Sequence, residues 1–377
     1  IKSIAIETLE SLGAKAPTVE ITSTDANEAP LKKIGALLIT QAVESLGTLQ
    51  DQSKATGLDD YEVLGRVAAT TDSFKNVYKV RKNSTKKLYL MRIVNKSRIR
   101  ERTGLTNSNQ NSSNRRMRKS FFTCLKSLTG KPFVAQVKKV LYNEKNECCI
   151  IYQYDFGRTS IVSSCEENTV GCAKMTEDTL KFYVAEIVVG LSSLHRTFLA
   201  YSELNPEEIH LDKHGHVVLP NLPFSSNVNT QHMNPEYIPP EVHTGETYKC
   251  DSDWYSLGIM MYALAAGESP FQSESATEVF YKILSNDIVF PSDFSASLRD
   301  LIEKLIAREP SKRLKTAAAI KSHNFFEGTD WRLIAKKKVK PPLVPYYAEN
   351  DEDQALAPTL VVQPKMGQFS QNSVVDP

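Results

Sequence analysis

The rhythm of hydrophobic and polar positions changes near residue 175. Before it, residues 61–94 alternate as strands do: YEVLGRV from Tyr61, KNVYKVRK from Lys75 and KLYLMRIV from Lys87, with the polar turn KNSTKK joining the last two. A period of two predicts an antiparallel meander. Further strands are predicted near 136–142 and 148–154. After residue 175, Leu180, Val184, Ile187, Val188, Leu191 and Leu194 recur at helical spacing. They follow Thr176, a good N-cap, and the acids Glu177 and Asp178, which suit a helix's first turn. The run DWYSLGIMMYALAAG is apolar nearly all round and ends at Gly267, which predicts a buried central helix. Two more helices fit 275–285 and 296–307. A small strand-rich part before a larger helical part is an α+β architecture. Residues 1–57 read as a linker or truncated upstream region with one helix over 31–49, and residues 103–114 as a low-complexity polar loop.

Composition narrows the picture. A chain of 377 residues can bury a sizeable core. It has no apolar run of the roughly 18 residues that a membrane span needs, and its visible start lacks a signal-peptide pattern. Six scattered cysteines without metal-ligand spacing predict reduced thiols in a cytoplasmic or nuclear protein. The net charge of +2 hides an asymmetry: Arg102 to Asn143 holds nine bases and no acid. That stretch reads as a solvated face plus a loop. An anion-binding module is an alternative, with nucleic acid disfavoured because the bases lack interleaved aromatics.

The segment KFYVAEIVVGLSSLHRTFLAYSELNPEEIHLDKHGHVVL, followed in order by NPEYIPPEV, DSDWYSLG, EPSKRL and FFEGTDWRLIAKKKVKPPLVPYY, resembles the protein kinase superfamily. The tail motif points to its AGC group, within which the chain most closely resembles the cyclic-nucleotide-dependent kinases. The resemblance implies a two-lobed fold with a small antiparallel-sheet lobe and a large helical lobe. The kinase-like domain would span 58–326, with lobes 58–154 and 155–326, and an AGC-type tail would cover 327–377. It implies a structural ion pair between Glu241 and Arg313, an anchoring role for Asp253, and an apolar stack including Tyr201 and Leu222.

The positions that handle phosphate depart from the family pattern. Thr70, Asp72 and Lys75 stand where the phosphate-covering loop has glycines, which let backbone approach phosphate. Arg92 replaces the strand lysine, and its family partner, a helix glutamate, has no counterpart in the acid-free stretch. In the adenine pocket Val77 is kept, Leu90 replaces a small residue, and His210 replaces a leucine. In the loop SELNPEEI, Glu203 takes the place of the catalytic base, Ser202 that of an arginine, Asn205 that of a lysine, and Glu208 that of a metal-binding asparagine. Asn221, Leu222 and Pro223 replace the metal-binding D-F-G. Thr230 sits at the usual phosphosite distance, without the arginine that would pair its phosphate. These changes lead to the expectation of a pseudokinase, not an enzyme, with no cofactor and no metal. It would act as an allosteric partner, scaffold or decoy for protein partners, an active kinase or its regulatory subunit among them. The alternative is an atypical Ser/Thr kinase using Arg92, Glu203 and Mg-ATP.

Overall fold

The computed structural model describes residues 57–66, 77–94, 127–142, 148–153, 156–162, 174–220, 233–273, 275–285 and 288–343. The helix read over 31–49 and the polar loop 103–114 lie outside them.

Five strands form one antiparallel sheet: β1 Tyr61–Arg66, β2 Val77–Lys82, β3 Leu88–Val94, β4 Val137–Tyr142 and β5 Cys148–Gln153, in the order β1-β2-β3-β5-β4. Alternation along each strand sends successive side chains to opposite faces. Val80, Met91, Ile93, Cys149 and Ile151 pack on one face with Leu58 and Tyr61. Val77, Leu90, Cys148, Ile150 and Tyr152 pack on the other, in a cluster continuous with the helical lobe. The register puts Val77 opposite Arg92 and Arg92 opposite Ile150, so Arg92 belongs to this second face. Both faces of the sheet are therefore covered.

The helical lobe begins at α1, Glu177–His195, where the Thr176 hydroxyl accepts the Thr179 amide as N-cap. A second small sheet follows: β6 Phe156–Ser160 and β7 His210–Asp212 pair antiparallel, and β7 pairs with β8 Val217–Val218. The short α2, Pro240–His243, precedes α3, Ser252–Ala266. Every residue of α3 except Ala266 is buried, and Gly267 closes the helix at φ 90°. Beyond it come α4 Ala276–Ser285, α5 Ala296–Ile306, α6 Ala317–Lys321 and α7 Trp331–Ala335. The Glu177 carboxylate accepts the Ser295 amide and hydroxyl, each at 2.7 Å, tying the start of α1 to the N-cap of α5. The result is a kinase-type two-lobed fold, with an antiparallel-sheet small lobe and a helical large lobe. Among the described residues no helix is long and apolar enough to cross a membrane.

Candidate functional site

The loop between α1 and β7 carries Glu203, Asn205 and Glu208, and one buried carboxylate sets its shape. Asp253, in the first turn of α3, is fully buried. Its Oδ2 accepts the Tyr201 amide at 2.7 Å and its Oδ1 the Ser202 amide at 2.8 Å. The Tyr248 hydroxyl donates to Oδ1 at 3.0 Å, and His195 Nε2 lies 2.7 Å from Oδ2. A buried carboxylate is stable only with its lone pairs so engaged. Ser202 takes the left-handed conformation, φ 67°, a state that costs a non-glycine residue roughly 1–3 kcal/mol unless its surroundings enforce it. The two Asp253 bonds enforce it, and the Ser202 hydroxyl folds back onto the Tyr201 carbonyl at 2.7 Å.

Glu203, next in line, is half-buried. Asn205 does structural work: its side-chain oxygen accepts the amides of Glu207 at 3.0 Å and Glu208 at 3.2 Å, capping the 3₁₀ turn Pro206–Glu208. The order Asn-Pro-Glu-Glu carries that signal, a cap residue followed by proline at the first helical position and acids behind it. Reading Asn205 only as a missing lysine overlooks it. Glu208 closes the turn and is buried. Among the described residues no group of three or more His, Cys, Asp or Glu is placed to hold a metal.

On the sheet, Val77 and Leu90 are 5% and 4% exposed. Leu90 stands opposite Tyr152 in the sheet, and His210 is buried on β7. Burial pushes the Tyr152 phenol up to about 12, with the Arg92 guanidinium pulling the other way. The charge of Arg92 thus lies beside this phenol, on the face of the sheet that packs with the core of the helical lobe. Tyr152 was not among the residues the sequence pointed to.

Two supports frame the site. Arg313 meets Glu241 with two prongs, Nη1 to Oε1 at 2.6 Å and Nη2 to Oε2 at 2.8 Å, while its guanidinium sits 4.9 Å from the Tyr255 ring centre. Glu186, fully buried in α1, places Oε1 at 2.7 Å from His216 Nδ1 and accepts the Val217 amide on Oε2 at 2.8 Å. Burial pushes this carboxyl up, against the pull of His216. The Leu219 amide donates to the Phe133 carbonyl at 2.8 Å, and the Ala135 amide to the Leu219 carbonyl at 3.0 Å, which tie the end of β8 to the segment ahead of β4. The sequence-predicted positions Thr70, Asp72, Lys75, Asn221, Leu222, Pro223 and Thr230 lie outside the described residues.

Comparison with known proteins adds the following. Residues 71–326, more than half of the chain, match the model of the protein kinase domain. The chain is 29% identical to a RAC family serine/threonine-protein kinase homolog of Dictyostelium discoideum, over 79% of its own length and 65% of that protein. It is 30% identical to the serine/threonine-protein kinase gad8 of Schizosaccharomyces pombe, over 78% of itself and 50% of the relative. Against the serine/threonine-protein kinase YPK2/YKR2 of Saccharomyces cerevisiae it is 29% identical, over 78% of itself and 42% of the relative. In each case the chain spans less than two thirds of the relative. Relatives of the AGC group, named as serine/threonine kinases, and a matching kinase domain overturn the expectation that this chain is not an enzyme. That expectation gave the changed residue types more weight than the cation kept at Arg92 and the carboxylate kept at Glu203.

Proposed function

Since the chain belongs to the protein kinase family, we propose that it is an ATP-dependent serine/threonine protein kinase with an atypical site built on Arg92 and Glu203. The observation that carries this reading is the Asp253-anchored loop, which fixes the backbone just before Glu203. Catalysis of phosphoryl transfer is mostly positioning and charge neutralisation. In the proposed step, the Glu203 carboxylate takes the proton of a serine or threonine hydroxyl. The hydroxyl oxygen bonds to the γ-phosphorus, and the bond from that phosphorus to the ADP oxygen breaks. Arg92 supplies fixed positive charge to the phosphates, with a planar fork where lysine would offer a point charge. Glu208 offers an anionic oxygen of the kind that hard divalent cations take, and magnesium there would neutralise triphosphate charge. Asn205 is occupied as a cap, so charge that a lysine would supply is absent. Each such lost stabiliser costs on the order of 100-fold in rate, so turnover is expected to be slow.

The test is transfer of labelled γ-phosphate to serine and threonine peptides, with Glu203→Gln beside the wild type. The expected result is slow, magnesium-dependent transfer that the variant loses by on the order of 100-fold or more, in line with removal of a general base. Absence of transfer in the wild type, or equal transfer by the variant, would refute the proposal.

A further inference from the structure

No Asp or Glu occurs between Asp330 and Glu349, while Arg332, Lys336, Lys337, Lys338 and Lys340 all do. On α7, Ile334 is buried while Arg332 and Leu333 face outward, Leu333 45% exposed, and the C-cap residue Lys336 is exposed too. Beyond the helix the chain alternates. Lys337 turns in to Asp212, Nζ to Oδ2 at 2.8 Å, Val339 packs on the core, and Pro341 is buried. Lys338 and Lys340 turn out. The ribbon is firmly seated. The Tyr183 hydroxyl accepts the Leu343 amide at 3.2 Å and donates to the Leu343 carbonyl at 3.3 Å. A Cβ on Gly215, in the β7–β8 turn, would lie 2.1 Å from that carbonyl oxygen, so the ribbon lies directly against the turn. The same turn exposes Lys213.

Of these bases, only Lys337 is closely paired. Arg332 reaches Asp330 at 3.9 Å with its side chain 90% exposed, and Lys213, Lys336, Lys338 and Lys340 make no ion pair among the described residues. Four exposed lysines without an ion pair, and Arg332 held only loosely by Asp330, thus stand along a fixed ribbon and the turn beneath it, with an exposed leucine beside them. We propose that this strip, Arg332 to Lys340 with Lys213, docks on an anionic lipid surface. Four of the five cations are lysines, hydrated point charges suited to a diffuse field rather than to forked recognition of one carboxylate. Leu333 can enter the headgroup boundary as apolar side chains of surface helices do. Single-stranded nucleic acid would call for open aromatic faces. Trp331, the aromatic of α7, is instead turned against Phe326 and Lys321, each ring contact at 5.0 Å.

The experiment is co-sedimentation of the whole chain with phosphatidylcholine vesicles, with and without phosphatidylserine. Binding is expected only to the phosphatidylserine vesicles and should weaken steeply with salt. The triple variant Lys336→Ala, Lys338→Ala, Lys340→Ala is expected to bind roughly 100-fold more weakly, a factor of about five per lysine. Its melting temperature should be unchanged, since all three side chains are exposed. Leu333→Asn should weaken binding separately. Equal binding to neutral vesicles, or none to anionic ones, would overturn the proposal. Wild-type affinity in the triple variant would move the contact to the basic stretch 102–143. Tighter binding of polyglutamate than of the vesicles would point to an acidic protein as occupant instead.

Discussion

The two oxygens of Glu241 face the two terminal nitrogens of Arg313, whose side chain is 3% exposed. Removing one partner of such a pair strands a buried charge, so Arg313→Ala is expected to cost about 3–5 kcal/mol in urea unfolding. A loss below about 1 kcal/mol would place the pair among weak surface bridges. Tyr152 allows a pH prediction. Its phenol is pushed up to about 12 by burial, whereas in the unfolded chain it ionises near 10. Between those values the folded protein keeps a proton that the unfolded chain has released, so stability falls as pH rises, by about 2–3 kcal/mol over the interval. Tyr152→Phe should remove that share of the alkaline loss, read as melting temperature against pH. Parallel curves for the two proteins would contradict it. At this scale the sequence was uneven. The Glu241, Arg313 and Asp253 positions were legible because their motifs are local and rigidly spaced. The cap role of Asn205 and the approach of Arg92 to Tyr152 were not, because motif alignment asks what a residue replaces and not what its neighbours offer it.

Elements were easier to read than contacts between them. Alternation in 61–94 and the all-round apolar run from Asp253 named the meander and α3, since burial on one face or on all faces leaves a periodic trace. Packing leaves none. Nothing in the sequence says that Gly258 of α3 lies where a Cβ would meet Ile306 Cγ2 at 2.6 Å and Leu305 Cβ at 2.9 Å. Alanine gains about 1 kcal/mol of helix propensity over glycine, yet overfilling a packed contact costs about 1–3 kcal/mol. Gly258→Ala is therefore expected to destabilise, or at best to break even, in thermal melts, and clear stabilisation would show that α3 and α5 can part. Gly215, at φ 86° and against the Leu343 carbonyl, gives a sharper case. Gly215→Ala should lift the ribbon from its seat, seen as faster hydrogen exchange at the Leu343 amide. The 160 residues separating Tyr183 from Leu343 explain why no sequence window revealed this seat.

For the whole molecule, the order of motifs sufficed to name the two-lobed fold, while the reading of activity required correction. Order survives substitution because the lobes are specified by core periodicity and by a few buried polar anchors. Activity depends on charge at a handful of atoms, and a changed residue type does not settle how much charge remains there. The anchors also decide how the large lobe comes apart. The Asp253 carboxylate joins the end of α1, the approach to α3 and the loop ahead of Glu203 through four contacts. A lobe with its helices intact but that loop wandering would leave a desolvated anion without donors. Heating should therefore produce one transition, with a fluorescent reporter beside Glu203 and calorimetry of the lobe giving the same temperature, and no partly melted species between.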